Sequence, residues 1–462
     1  MKLSHRIESA VFRLSWLAFI VALIATNSYG QSLPEPTREQ LLNQLTVLFW
    51  QRSGEPNVLL KLRVHSGAAF DLAGKGGTMA LLGDILFPDP ITREYVTEEL
   101  GGQLEVITDH DAIDVTLSGK ASEFERMVEL LRTALVMTQL TPDNVNKARD
   151  GKIKHLSDGP PSASELADRA IAARLFGRFP YGHPASGSAE TVAKVDRSDV
   201  MLARERFLNP DNATLVVIGG IERSRAMRAL RQLLGQWRKG DRIVPATFQP
   251  PDAPDARVLV VNQNGATNAH IRLAVLGLAR SDRDYAAARL LARVMQLRLQ
   301  AALPEASSLF VRHEAHALPG SYVIGASAPA ASASRIISAA RDVMNSSLSS
   351  QPSTVELEAA RSEAVAKMNR QASKPESIAD AWLDIETYKL PRFSEQANAL
   401  RSVTAADVQR VAVRLFKDAR VASVVVGNSE ELKASLGASI QLSEEAPRKS
   451  LPVFVTPRAN PE

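Results

Sequence analysis

The order of apolar and polar residues predicts short strands alternating with amphipathic helices. Val58–Val64 alternates as a strand with one covered face, and Leu104–Leu117 holds two short alternating runs around residues 109–111, which predicts a hairpin. Apolar residues recur at helical spacing in Thr78–Phe87 and Phe124–Leu140. Helices grouped between hairpin-like strands favour an α+β fold over a doubly wound parallel sheet.

The second half of the chain shows the same alternation. Val258–Val261 and Ile271–Val275 are typical of strands, and Tyr285–Leu303, Ala333–Leu348 and Thr354–Asn369 are typical of helices. We therefore predict two homologous α+β domains, each a mainly antiparallel sheet packed with helices, joined by a linker.

An internal repeat supports the duplication. Three residues recur 208 positions later in similar surroundings; the pairs are Val195 and Val403, Asp199 and Asp407, and Gly219 and Gly427. A shared offset at separated points indicates a duplicated unit far longer than the repeats of solenoid proteins. Chance similarity of two helix–turn–strand segments is the alternative.

Proline-rich stretches suggest where the domains begin and end. We predict a signal peptide at residues 1–30, an N-terminal domain at 45–236, a linker at 237–256, a C-terminal domain at 257–435 and a flexible tail at 436–462.

The first thirty residues have the order of a secretory signal. Lys2, Arg6 and Arg13 precede the apolar run Leu14–Ala25, and Ser28–Gly30 supplies small residues near a cleavage point. Twelve helical residues span about 18 Å, short of a hydrocarbon core of about 30 Å. We expect cleavage and export to the periplasm, with no membrane segment after cleavage. An uncleaved anchor is the alternative.

Composition narrows the chemistry. The chain has no Cys, which excludes disulfides, thiolate metal sites and cysteine nucleophiles. Its 55 basic and 51 acidic residues leave a net charge of +4, which gives no electrostatic case for nucleic-acid binding.

Two consecutive stretches carry a family resemblance. Gly77–Phe87 followed by Gly101–Asp111 resembles the pitrilysin/insulinase family of zinc metallopeptidases, in its mitochondrial-processing-peptidase-like branch. That family has Gly-x-Ala-His-x-x-Glu-His-x-Leu-Phe on a helix, then Gly-Gly-x-x-Asn-Ala-x-Thr on a strand. The stretches Phe179–Gly187 and Phe207–Gly219 support the resemblance, which covers about residues 45–435.

The resemblance implies a zinc site whose residues have been replaced. In the H-x-x-E-H motif two His bind zinc, the Glu between them is the general base, and a downstream Glu completes the ligand set. The first His, the Glu and the second His of the motif correspond to Ala80, Gly83 and Asp84. The downstream Glu falls near His155. Ala80 and Gly83 offer no donor atom, so we expect no catalytic residue, no metal ligand and no cofactor.

The resemblance implies two further features. An Arg and a Tyr that face substrate in the family correspond here to Pro304 and Val311, so this site is also degenerate. Substrate adds as a strand to a sheet edge in the family, and the matching positions are Glu105 and Val106, where the family has Asn-Ala.

Other candidates have simpler interpretations. In His313-Glu314-Ala315-His316 the spacing of the two His would direct them to opposite faces of a strand. His110 is interpreted as part of a solvated turn. Arg149, Lys152 and Lys154 are interpreted as a solvated helix face.

The preferred hypothesis is a non-catalytic member of this family. It would be the partner subunit of a related active zinc peptidase in a heterodimer, and it would bind extended polypeptide. One alternative is an active metallopeptidase with unusual ligands, using Asp84, His155 and a third group. The other alternative is a structural or assembly subunit.

Overall fold

Two six-stranded mixed sheets organise the protein. The computed structural model describes residues 33–159, 161–240, 248–437 and 440–443. The strands of the first sheet, in chain order, are β1 (Thr37–Gln40), β2 (Thr46–Gln51), β3 (Asn57–Val64), β4 (Leu104–Thr108), β5 (Ile113–Lys120) and β6 (Ala213–Gly219). Those of the second are β7 (Val258–Asn262), β8 (Ala269–Leu276), β9 (Ser307–Glu314), β10 (Ser321–Ala328), β11 (Ala422–Gly427) and β12 (Ile440–Leu442).

The two sheets share one topology over five strands. The spatial orders are β1–β2–β6–β3–β5–β4 and β12–β7–β11–β8–β10–β9, so β2 corresponds to β7, β6 to β11, β3 to β8, β5 to β10 and β4 to β9. Pairing is parallel for β2 with β6, for β7 with β11 and for β7 with β12, and otherwise antiparallel. The predicted fold class of two mainly antiparallel sheet-plus-helix domains is confirmed.

Helices cover the sheets. Those before the second sheet are α1 (Thr78–Leu86), α2 (Pro90–Glu98), α3 (Phe124–Arg132), α4 (Pro142–Ser157), α5 (Ala163–Phe176), α6 (Ala189–Ala193), α7 (Arg197–Phe207) and α8 (Arg223–Leu234). Those that follow are α9 (Tyr285–Ala302), α10 (Ala333–Ser349), α11 (Thr354–Gln371), α12 (Pro375–Tyr388), α13 (Phe393–Ser402), α14 (Ala405–Phe416) and α15 (Ser429–Leu436). Within the described parts of the chain, no helix is long and apolar enough to cross a membrane.

The repeated Asp has a structural cause. Asp199 is the third residue of α7 and closes a capping box with Asp196, while Asp407 is the third residue of α14 and closes one with Thr404. Each box satisfies amide donors that the first helical turn leaves free. The two helices precede equivalent central strands, β6 and β11.

Each sheet is covered on one face by a helix from the other part of the chain. Helix α5 packs on β8 and β11 of the second sheet, where Ala167, Ile171 and Leu175 join Ala274 and Val424 in one buried cluster. Helix α12 packs on β3 and β6 of the first sheet. This exchange buries apolar surface between the domains and holds them together.

Ion pairs reinforce the contact of α12 with the first sheet. Arg63 donates to both carboxylate oxygens of Asp114 at 2.7 Å and to Asp384 at 2.8 Å, and Lys61 pairs with Asp380. Burial alone would lower the pKa of Arg63, but the Asp114 and Asp384 carboxylates raise it.

Some predicted limits differ from the observed elements. Strand β1 precedes the predicted domain start at residue 45, and β12 falls within the predicted tail 436–462. Phe124–Leu140 is α-helical only to Arg132 and continues as a π-helical turn over Thr133–Met137. The predicted signal peptide lies outside the described residues, as do residues 241–247 of the linker and all of the tail from residue 444. The domain boundaries stay a prediction.

Candidate functional site

Helix α1 carries the first three positions of the zinc motif. It begins after Gly77, whose φ of 95° is accessible to glycine, and the Asp71 carboxylate accepts from the amides of Gly77 at 2.6 Å and Met79 at 2.8 Å. Burial raises the pKa of Asp71 to about 7, despite these hydrogen bonds. Eight of the nine helical residues are buried, and Asp84 is the exposed one.

The position of the general base is filled by neighbouring side chains. A Cβ added to Gly83 would lie 2.7 Å from Thr108 Oγ1 and 3.4 Å from Val106 Cγ1, both on β4. Ala80, one turn earlier, is 4% exposed and belongs to the buried face. The local packing therefore leaves no room for a larger side chain at residue 83 unless the Thr108 and Val106 side chains move.

Asp84 faces a cation of its own chain. Lys152 Nζ of α4 lies 2.8 Å from Asp84 Oδ2, and the Lys152 side chain is only 12% exposed. His155, three residues further on, is exposed. The α4 residue that faces the motif is thus Lys152, so the structure does not bring His155 to Asp84, and Lys152 is not part of a solvated face as the sequence interpretation held.

Strand β4 is the outer strand beside this helix. Backbone bonds join Ser118 to Gln103 and Asp109 to Ala112 across the β4–β5 register. In an antiparallel pair the bonded residues alternate. The amides and carbonyls of Leu104, Val106 and Thr108 therefore point away from β5. The edge also exposes Glu105 and Ile107, the latter 51% exposed.

The two remaining degenerate positions, Pro304 and Val311, lie in the second half of the chain, around α9 and β9. Pro304 is exposed just after α9, and Val311 is buried at 7% exposure on β9, opposite Ile324 of β10. Neither side chain offers a group that could hydrogen-bond substrate. Across the described ranges, no set of three or more His, Asp or Glu side chains has the geometry to hold a metal ion.

A buried carboxylate that the sequence did not single out connects the domains. Asp111, in the β4–β5 turn, accepts from Tyr181 at 3.0 Å, Tyr388 at 3.1 Å, His316 Nδ1 at 3.2 Å and the Ala317 amide at 3.1 Å. Burial would raise the pKa of Asp111, but the bonds from His316 and the other donors lower it. Burial would lower the pKa of His316, but Asp111 raises it.

His110 and His313 also make contacts inside the protein. His110 Nε2 bonds to the His183 carbonyl at 2.8 Å, and its ring contacts Tyr181 edge-on, so its interpretation as part of a solvated turn was wrong. Burial lowers its pKa. His313 lies between Tyr285 and Tyr322, away from His316, which turns to Asp111.

Comparison with known families and structures agrees with this architecture. The family model described as "Peptidase M16 inactive domain" matches residues 194–364, from the end of the first domain into the second. The chain is a homologue of the M16 peptidases. The matched region begins after α1 and α4, so it does not include the zinc-motif positions of this M16 homologue.

Curated relatives match part of the M16 homologue. Subunit 1 of the mitochondrial cytochrome b-c1 complex from Bos taurus is 22% identical over 259 residues, 54% of this chain and 52% of that protein. An uncharacterized zinc protease of Mycobacterium leprae is 23% identical over 227 residues, 47% of this chain and 50% of that protein. The chain thus spans about half the length of the curated relatives it matches.

Solved structures match most of the fold. A protease from Helicobacter pylori superimposes with a TM-score of 0.77 at 16% identity, over 86% of this chain and 100% of that one. A peptidase M16 inactive domain from Pseudomonas fluorescens gives 0.74 at 18% identity, over 86% and 98%. The first half of the periplasmic protease PqqL from Escherichia coli gives 0.70 at 15% identity, over 88% and 95%. At these identities the similarity is one of fold.

Proposed function

We propose that this M16 homologue is non-catalytic, pairs with an active M16 zinc peptidase and binds extended polypeptide along β4. The observation that carries the proposal is the contact of Lys152 with Asp84. An ammonium group neutralises the one carboxylate at the motif and would repel a divalent cation placed beside it.

The residues present do not fit a zinc ion or a hydrolytic water. Ala80 has no donor atom, and no carboxylate stands at Gly83 to take a proton from a metal-bound water. We therefore assign no catalytic step to the chain. Loss of zinc affinity is part of this proposal.

The polypeptide-binding role rests on the exposed edge of β4. Outward backbone groups at three alternate residues, Leu104, Val106 and Thr108, can add a strand by main-chain hydrogen bonds. This mode requires no metal. The family resemblance supports the same edge, because the substrate-binding positions of the family match Glu105 and Val106.

Substitution of Val106 by Pro tests the binding edge. Proline removes an outward-facing amide but no donor of the β4–β5 ladder, and edge strands tolerate it. Reduced and carboxamidomethylated α-lactalbumin, labelled with fluorescein, should bind the wild-type chain, and V106P should weaken binding about fivefold or more. The matched variant V106A keeps the amide and should bind like wild type. Equal binding by V106P and wild type would rule out this edge.

The relatives and the N-terminal sequence support the proposed partner and the proposed location. The bovine relative is named as subunit 1 of the mitochondrial cytochrome b-c1 complex, which supports a role in an assembly. We propose an active M16 peptidase as the partner. Residues 1–30 and the fold shared with a periplasmic protease support export to the periplasm.

A structural or assembly subunit is the second candidate, favoured by the name of the bovine relative. Co-purification from the native cell separates the two. A partner with an intact H-x-x-E-H motif supports pairing with a peptidase. An unrelated partner, together with no binding of the unfolded probe, supports the assembly role.

A further inference from the structure

A basic cleft lies in the second domain, away from α1. It has a volume of about 540 Å³ and is bounded by α9, β9, α11 and α12. Five cationic side chains line it: Arg280, Arg289, Arg293, Arg312 and Lys367. None of these five side chains belongs to the zinc-motif positions or to the β4 edge.

Each carboxylate in the cleft already has a cation. Glu363 pairs with Arg293 at 2.5 Å, and Glu314 lies 3.7 Å from Arg312. Asp380 and Asp384 bind Lys61 and Arg63, which come from β3 of the first sheet. All four carboxylates of the cleft are therefore already paired with Lys or Arg side chains.

The remaining cations form no ion pair within 4.0 Å in the described structure, although the Asp384 carboxylate, already bound to Arg63, also interacts electrostatically with Arg280. Arg289 makes one hydrogen bond, to the Ala364 carbonyl at 3.4 Å, and has no carboxylate within 4.0 Å among the described residues. Arg280 stacks on Tyr285, with its guanidinium carbon 4.1 Å from the ring centroid, and donates to Gln396 at 3.3 Å. Lys367 forms no ion pair within the part of the chain that the structure describes.

The wall of the cleft also holds an unpaired donor. His313 Nε2 accepts from the Leu278 amide at 3.0 Å, so the neutral ring carries its proton on Nδ1. Nδ1 is buried and has no hydrogen-bond partner in the described structure. Burial lowers the pKa of His313 to about 4, which keeps the ring neutral at pH 7.

A guanidinium taken partly out of water without a counter-charge is costly, and its planar donors match carboxylate and phosphate oxygens. We propose that this cleft binds an anionic group, a carboxylate or a phosphate, held by Arg289 and Arg280 with Lys367 at the entrance. This site is independent of the polypeptide edge and of the zinc motif.

Calorimetric titration of the full chain at low ionic strength tests the site and shows whether it binds a phosphate or a carboxylate. One arm uses inorganic phosphate; the other compares a short Glu-containing peptide with its Gln counterpart. Saturable binding of phosphate, or of the Glu peptide over the Gln peptide, supports the site if R289M weakens it about tenfold. The exposed Lys367 gives a second variant, K367M, that should weaken binding without a folding defect.

The control is R335M, because Arg335 is 62% exposed, pairs with Glu305 and lies outside the cleft. It should bind like wild type. No saturable binding of either ligand by wild type, or undiminished binding by both R289M and K367M, would overturn the proposal.

Discussion

Lys152 and Asp84 form an ion pair at 2.8 Å across 68 residues of sequence, joining α4 to the exposed position of α1. An internal cation therefore faces the carboxylate at the position where the family resemblance implies a zinc ligand. The Asp84 side chain is 46% exposed, so solvent screens the pair and its contribution to stability is modest.

Charge reversal at Lys152 tests the contact. K152E places two carboxylates together and should lower the free energy of unfolding by about 1 kcal/mol at low salt, with the loss shrinking as ionic strength rises. Urea denaturation measures it. The matched variant K154E makes the same charge change at an exposed position that does not face Asp84, and should cost less at every salt concentration. Equal losses in both variants would argue against the pair.

Gly83 should be required for packing. G83A places a Cβ 2.7 Å from Thr108 Oγ1, and should lower the free energy of unfolding by about 1–3 kcal/mol. Gly151, inside α4, has no atom within 4 Å of an added Cβ, so G151A should raise stability by about 0.5–1 kcal/mol. Thermal and chemical denaturation compare the two, and a stabilising G83A would contradict the packing described.

Asp111 should hold the two domains together. D111N removes the charge that His316 pairs with and should lower the free energy of unfolding by about 3 kcal/mol. The exposed Asp150 provides the control D150N, which should behave as wild type. A D111N variant with wild-type stability would remove Asp111 from this role.

The sequence predicted β3, β7, β8, the β4–β5 hairpin and the repeat that relates β6 to β11, because each shows as an alternation of apolar residues or as a recurring motif, but it missed β1, β2, β9, β10 and β12. It did not predict that α5 and α12 would cover each other's sheets, since an apolar helix face does not specify the sheet it meets. Asp111 follows Asp109 and His110 in what looks like a polar turn, and its donors Tyr181, His316 and Tyr388 come from distant segments.

The residue of α4 that faces the zinc-motif positions could not be identified by counting residues along the sequence. No gap-free anchor connects α1 to α4, and Lys152 and His155 are both polar residues in a polar helix. Only the packing of α4 against α1 selects Lys152. The domain limits and the roles given to Glu105 and Val106 stay predictions.

The contribution of His65 to stability should fall on acidification, whereas the raised pKa of Asp71 acts in the opposite direction. Its ring bonds to Thr387 and Thr214, both at 2.9 Å, and burial lowers its pKa from 6.5 to about 4. A lowered pKa means that the unfolded chain takes up the proton first, so this stability is present above pH 6.5 and is lost toward pH 4. The loss is about 3 kcal/mol for this one group.

The variant H65Q removes the titration. Its free energy of unfolding should fall less steeply than that of wild type between pH 6.5 and pH 4, as measured by urea denaturation at each pH. His313, with a pKa also lowered to about 4 by burial, will leave part of the slope. Parallel curves for H65Q and wild type would show that His65 does not contribute.

Zinc content tests the central claim most directly. The purified chain is incubated with zinc chloride, separated from unbound zinc by gel filtration and analysed by inductively coupled plasma mass spectrometry. An M16 peptidase with an intact H-x-x-E-H motif is treated in the same way as a reference. We predict zinc far below one ion per chain, with no change in D84A, while the reference peptidase retains one. One zinc per chain that disappears in D84A would contradict the account.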